Sequence, residues 1–122
     1  MILSALITGC TGHQYDTLED FLAGEEMQSL IEEDKSALAD SGLSLEVTSR
    51  ENQLIYTYTY SQMLEVETAK DILKEGMEAE WDAFQKFADD VKKSVKVENP
   101  VVVVRYLNPD GTEIYSETFS AE

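Results

Sequence analysis

ETAKDILKEGMEAEWDAFQKFADDVKKSV, residues 67–95, is the longest periodic stretch in the chain and the one whose reading decides the architecture. Its apolar residues are Ala69, Ile72, Leu73, Met77, Trp81, Phe84, Phe87, Ala88, Val91 and Val95, in steps of three and four that predict an amphipathic helix with one continuous buried stripe. Trp81 lies on that stripe and reads as core. Lys92, Lys93 and Lys96 stand where the negative end of the helix dipole favours cations. Such a helix would run about 43 Å, while a seven-residue strand covers about 23 Å. It must overhang its sheet or bend, and Gly76 is the expected bend.

Working outward, strand patterns flank this helix. Leu43, Leu45 and Val47 alternate with Ser44, Glu46 and Thr48, and after a polar turn at Arg50-Glu-Asn-Gln53 comes Leu54-Ile-Tyr-Thr-Tyr-Thr-Tyr60, rich in β-branched and aromatic residues. These two strands predict a hairpin. Beyond Asn99-Pro100, Val101-Val-Val-Val-Arg-Tyr-Leu107 reads as a central strand, Asn108-Pro-Asp-Gly111 as a type I turn, and 112–119 as the returning strand of a second hairpin. Upstream, Thr17-Leu-Glu-Asp20 has the form of a capping box. Gly24 interrupts the helix it opens, and Met27, Leu30, Ile31, Asp34 and Leu38 continue it at helical spacing until Ser41-Gly42. The order α-β-β-α-β-β predicts an α+β domain: a four-stranded antiparallel sheet of two hairpins packed against one long amphipathic helix, with a shorter N-terminal helix.

The N-terminal residues carry a different signal. Met1-Ile-Leu-Ser-Ala-Leu-Ile-Thr-Gly-Cys10 runs from apolar residues through two small ones to the single cysteine. Ile7, Thr8, Gly9 and Cys10 match the end of a bacterial lipoprotein signal, in which an apolar segment occupies the bilayer and a slim site precedes the lipidated cysteine. A basic opening is missing, so residues 1–10 read as the remnant of a signal that is truncated or whose start is placed too late. The other reading of Cys10 is a buried core thiol. On the lipidation reading, residues 11–16 form a tether and 17–122 a single domain, lipid-anchored to the cell membrane on its extracytoplasmic side.

Nine Lys and Arg stand against 25 Asp and Glu in 122 residues, a net charge of −16 that repels phosphate backbones and argues against a nucleic-acid partner. One cysteine excludes an internal disulfide framework. No catalytic constellation is visible and no cofactor or metal is implied: His13 is the only histidine, and it falls in the tether. The acidic clusters Glu19-Asp20, Glu25-Glu26, Glu32-Glu33-Asp34 and Asp89-Asp90 lack the alternation of a calcium loop and read as solvated helix faces. Tyr56, Tyr58 and Tyr60 share one strand face by period two, and Tyr106 and Tyr115 lie on the second hairpin. Exposed, the five would form a weak ligand-binding row for a sugar or a peptide. Otherwise they pack as core beneath Met77, Trp81, Phe84 and Phe87.

Taken together, the lipobox, the acidic N-terminal helix, the Leu54–Tyr60 strand, the long helix and the Val103-Val-Arg-Tyr-Leu-Asn-Pro-Asp-Gly-Thr112 turn are similar to a family of small secreted lipoproteins of unknown function from Gram-positive gut and clostridial bacteria. The resemblance spans Thr17 to Phe119 and implies location and fold, with no activity. The expected function is a non-catalytic domain binding a peptide, protein or glycan at the cell envelope, through the sheet face opposite the helix or a strand edge. The competing expectations are a carboxylate-based enzyme or accessory subunit and an assembly or dimerisation module.

Overall fold

The computed structural model of the chain describes residues 15–120. Residues 1–14, with Cys10 and His13, lie outside the described residues. Helix α1 (Leu18–Ala23) begins at Thr17, whose side chain accepts a hydrogen bond from the Asp20 backbone N–H at 3.0 Å. Gly24 separates it from α2 (Glu25–Leu38), and a 3₁₀ turn at Ala39–Ser41 leads to Gly42, whose φ of 71° lies in the left-handed region that glycine adopts without strain. Strands β1 (Leu43–Arg50) and β2 (Gln53–Tyr60) follow, then helices α3 (Val66–Ala79) and α4 (Trp81–Ser94), then β3 (Val101–Leu107) and β4 (Glu113–Ser120).

Both hairpins form in the expected places. The sheet that joins them differs from expectation: in the order β1-β2-β3-β4 the two outer pairings are antiparallel, but β2 and β3 run parallel, with Gln53 opposite Val101 and Thr59 opposite Leu107. The reason is geometric. The chain leaves β2 at one end of the sheet and must reach the start of β3 beside the start of β2, and a single pass of helix over one face carries it there. One helical pass between neighbouring strands therefore forces a parallel pair and makes the sheet mixed.

The connecting segment is two helices. Gly76 stays helical, since glycine costs an exposed helix interior only about 1 kcal/mol. The break falls instead at Glu80, with φ −109° and ψ 8°, where the Glu80 N–H closes onto the Met77 carbonyl at 3.1 Å. Beyond it, Trp81 meets Phe119 edge-on at 4.8 Å and Phe84 stacks on Phe119 at 5.2 Å. Trp81, expected in the core, is 39% exposed because it opens α4 at the rim of the sheet.

The four α-helices of the described residues lie on one side of the sheet, α1 and α2 against β1, α3 and α4 against β4. Leu45, Leu54, Tyr56, Tyr58, Val102, Val104, Tyr106 and Phe119 point into this layer and are buried, meeting Phe84, Phe87 and Val91 from α4 and Met27, Ile31 and Leu38 from α2. The first described residues, Tyr15 and Asp16, are docked: Tyr15 bonds backbone to backbone with Ser94 and Lys96, and Asp16 pairs with Lys96 at 3.0 Å. Asp34 corrects the reading of its cluster as solvated. Glu32 and Glu33 are exposed, but Asp34 follows Met27 and Ile31 on the inner face of α2 and is buried.

Candidate functional site

The tyrosine row lies on the helix-covered side of the sheet. Tyr56, Tyr58 and Tyr106 are core residues that present no surface: Tyr56 meets Phe87 edge-on at 5.8 Å, and Tyr58 stacks on Tyr106 at 5.0 Å. Burial pushes all three phenols well above the ordinary tyrosine range, and the charges of Asp34 beside Tyr56 and Tyr58 and of Glu80 beside Tyr58 and Tyr106 push the same way. Tyr60 and Tyr115 reach solvent. Tyr115 donates to Glu117 Oε2 at 2.6 Å, and burial first, then this bond, raises its pKa to about 12.

Tyr60 is the centre of a place where the helical layer opens. It ends β2 opposite Leu43, on the same face as Tyr58, yet α2 has already finished before β1 begins and α3 starts only at Val66. The last rung of the ladder therefore has helix on one side only. The wall is α3, which turns Ala69, Ile72, Leu73 and Gly76 toward it, one helical stripe with small residues at two positions. Three adjoining hollows share Tyr60. One, of about 240 Å³, lies along Leu64, Thr68 and Ala69; a second, of about 350 Å³, runs past Gly76 to Glu80 and Tyr106; the third, of about 420 Å³, opens between Tyr60 and the Asp40–Gly42 turn. Ile72, expected on the buried stripe, is 64% exposed above this groove because no second helix covers α3 there, and Met63 is 62% exposed in the loop beside it.

The rim is held by Asn108. This residue is buried, accepts the Leu64 N–H at 2.8 Å and donates to the Leu64 carbonyl at 3.1 Å, while its own backbone closes the β3–β4 turn onto Thr112 and Gly111. The bidentate amide fixes the loop ahead of α3 to the second hairpin, so the groove has a positioned lip. At the other end stands Glu80, whose Oε2 is buried with no hydrogen-bond partner among the described residues. Asp40, Glu65 and Glu80 contribute carboxylates to the lining, and among the described residues no Lys, Arg or His joins them.

Across the remaining surface, the sheet face away from the helices carries half-exposed Ile55, Thr57, Val103 and Arg105, with Arg105 Nε bonded to Glu113 at 3.2 Å. Among the described residues no three His, Cys, Asp or Glu side chains are placed to share a metal ion, and no helix is long and apolar enough to cross a membrane.

A model for a domain of unknown function, DUF4854, matches residues 18–119. The chain belongs to this family. The DUF4854 match runs from the first buried residue of α1 to the last buried residue of β4, so the Tyr60 groove, its Asn108 lip and Glu80 all fall inside it. No curated protein and no solved structure matches the chain. Reading the DUF4854 sequence by pattern missed Glu80 and Asn108. Glu80 had a signal: Leu73, Met77, Glu80 and Phe84 are spaced as one stripe, so a carboxylate occupies an apolar position. Asp34 is the same case, between Ile31 and Leu38. Asn108 had none, because its partner is a backbone group 44 residues away.

Proposed function

We propose that this DUF4854 domain is a non-catalytic binding module, held at the extracytoplasmic side of a cell membrane by a lipid on Cys10, and that the groove around Tyr60 is its ligand-contacting surface. One observation carries the binding reading: a lined hollow with a fixed lip, in which Tyr60, Leu64, Ile72 and Leu73 leave apolar surface accessible beside a close-packed core. A small domain gains about 25 cal/mol for each Å² of apolar surface it buries, so an apolar trough left open at one end of the core marks a place where another molecule completes the burial. The anchoring reading is supported by the Ile7-Thr8-Gly9-Cys10 sequence alone.

Two measurements test the two parts. Expressed in a Gram-positive host, the wild-type protein takes up labelled palmitate and partitions to membranes, and Cys10→Ala loses both; an unlabelled, membrane-free wild type removes the anchor. For the groove, an environment-sensitive apolar dye brightens on the folded wild type and less on Ile72→Gln. Equal dye response in both proteins removes the groove as the apolar site.

A further inference from the structure

The groove around Tyr60 has a chemical polarity that narrows its ligand. Its floor and wall are apolar, through Tyr60, Leu64, Ile72 and Leu73, while the charged groups that line it among the described residues are all carboxylates. Glu80 stands out among them. Asp40 and Glu65 are exposed and hydrated, whereas Glu80 holds a buried Oε2 with no hydrogen-bond partner among the described residues, beside the inward phenols of Tyr58 and Tyr106. A buried acceptor of this kind is stabilised by a donor, and most strongly by a cationic one. Tyr60 adds an aromatic face on which an ammonium or guanidinium group is also favoured. Around the site, the chain's net charge of −16 draws cations toward the surface and repels anions.

Resting on the groove as the binding surface, we infer that its ligand is a basic amphipathic peptide segment, seated with apolar side chains against Leu64, Ile72 and Leu73 and with a Lys or Arg side chain directed to Glu80. The wall is a helix stripe and the trough is elongated, the geometry that receives an amphipathic segment by its apolar face. An anionic glycan or an acidic peptide is disfavoured by every charge in the lining.

The test uses the full chain and dye-labelled amphipathic peptides of one length and spacing, made of Leu with Lys, Leu with Glu, or Leu with Gln, in fluorescence anisotropy at physiological ionic strength. The Leu/Lys peptide is expected to bind saturably and the Leu/Glu peptide not at all, a contrast that needs no substitution in the protein. Glu80→Gln and Ile72→Gln should each weaken the Leu/Lys peptide about tenfold or more, the effect of losing one charge-assisted hydrogen bond or one apolar contact. Glu32→Gln, an equal charge change on the exposed face of α2, should leave affinity at the wild-type value. Circular dichroism on each variant checks that the fold is kept.

Equal weakening by Glu32→Gln and Glu80→Gln would mean a diffuse field and overturn the inference. Binding of Leu/Gln as tight as Leu/Lys, lost in Ile72→Gln but kept in Glu80→Gln, would overturn the cationic preference and leave the groove reading standing. Indifference of all three peptides to Ile72→Gln would overturn both. A concentration-dependent mass of the unliganded protein, abolished by Ile72→Gln, would place a second copy in the groove and overturn the peptide assignment.

Discussion

Helices α3 and α4 are each 14 residues long, consecutive in the chain and amphipathic, yet α4 buries Phe84, Phe87, Ala88, Val91 and Ser94 where α3 buries only Ala69 and Met77. The difference comes from what each helix meets. Aromatic rings from the sheet rise to α4, with Tyr56 against Phe87 and Phe119 against Phe84, and fill the space between the layers. Across the hollow from α3 stand Leu43 and Tyr60, the last paired rung of β1 and β2, and the helix offers Ala69 and Gly76 in return. Amphipathic pattern makes a helix want a partner; shape at the contact determines whether it is filled. One half of the connection is therefore core, and the other is the wall of a groove.

The sharpest way to break this comparison is to truncate one apolar residue in each helix. Phe87→Ala removes a fully buried ring from α4 and should cost about 3–5 kcal/mol in denaturant unfolding, while Ile72→Ala in α3 should stay within about 0.5 kcal/mol. Similar losses would mean that α3 is as tightly packed as α4. Alkaline titration separates the two ends by their tyrosines. The folded pKa values of Tyr56, Tyr58 and Tyr106 lie above the unfolded value near 10, so the folded state binds more protons in that window. Their stabilising contribution is whole below about pH 10 and is lost as pH rises through the folded values. Tyrosinate absorbance should accordingly show Tyr60, which burial raises less, ionising ahead of unfolding, and the core phenols only with it.

Smaller effects sharpen the description of the groove. Asn108→Ala strands the Leu64 N–H and carbonyl and should cost about 1–3 kcal/mol, with faster hydrogen exchange at Leu64 and in the first turn of α3 while α4 keeps its protection. Gly76→Ala has the smallest expected effect and the most telling sign. A Cβ there meets nothing within 4 Å, so the substitution should raise stability by up to about 1 kcal/mol while narrowing the groove and weakening the Leu/Lys peptide. Destabilisation instead would place Gly76 in a contact the fold needs.

Much of the local structure was legible, for reasons that are themselves local. The Thr17 cap, the left-handed Gly42, the two hairpin turns and the helical stripes each follow from a few neighbouring residues. The strand direction between hairpins was also derivable, since one helical pass between adjacent strands makes them parallel, but the hairpins alone suggested an antiparallel whole. Glu80 and Asp34 both stand on apolar stripes; Asp34 was read with its neighbours as a solvated acid, and Glu80 was not singled out. The helix break at Glu80 and the exposure of Trp81 and Ile72 were not legible, because they depend on where Phe119 and the end of the sheet come to lie.

By itself, then, the sequence determined most of the elements, most of their inner faces and the net acidity, all of which rest on spacing and composition within a short stretch of chain. Only the tertiary structure decided which tyrosines are core and which open to solvent, that Leu64 is held from Asn108, and that Asp40, Glu65 and Glu80 share one groove. Those are distances between residues far apart in the chain, and they are set by how the layers fill space rather than by any local preference.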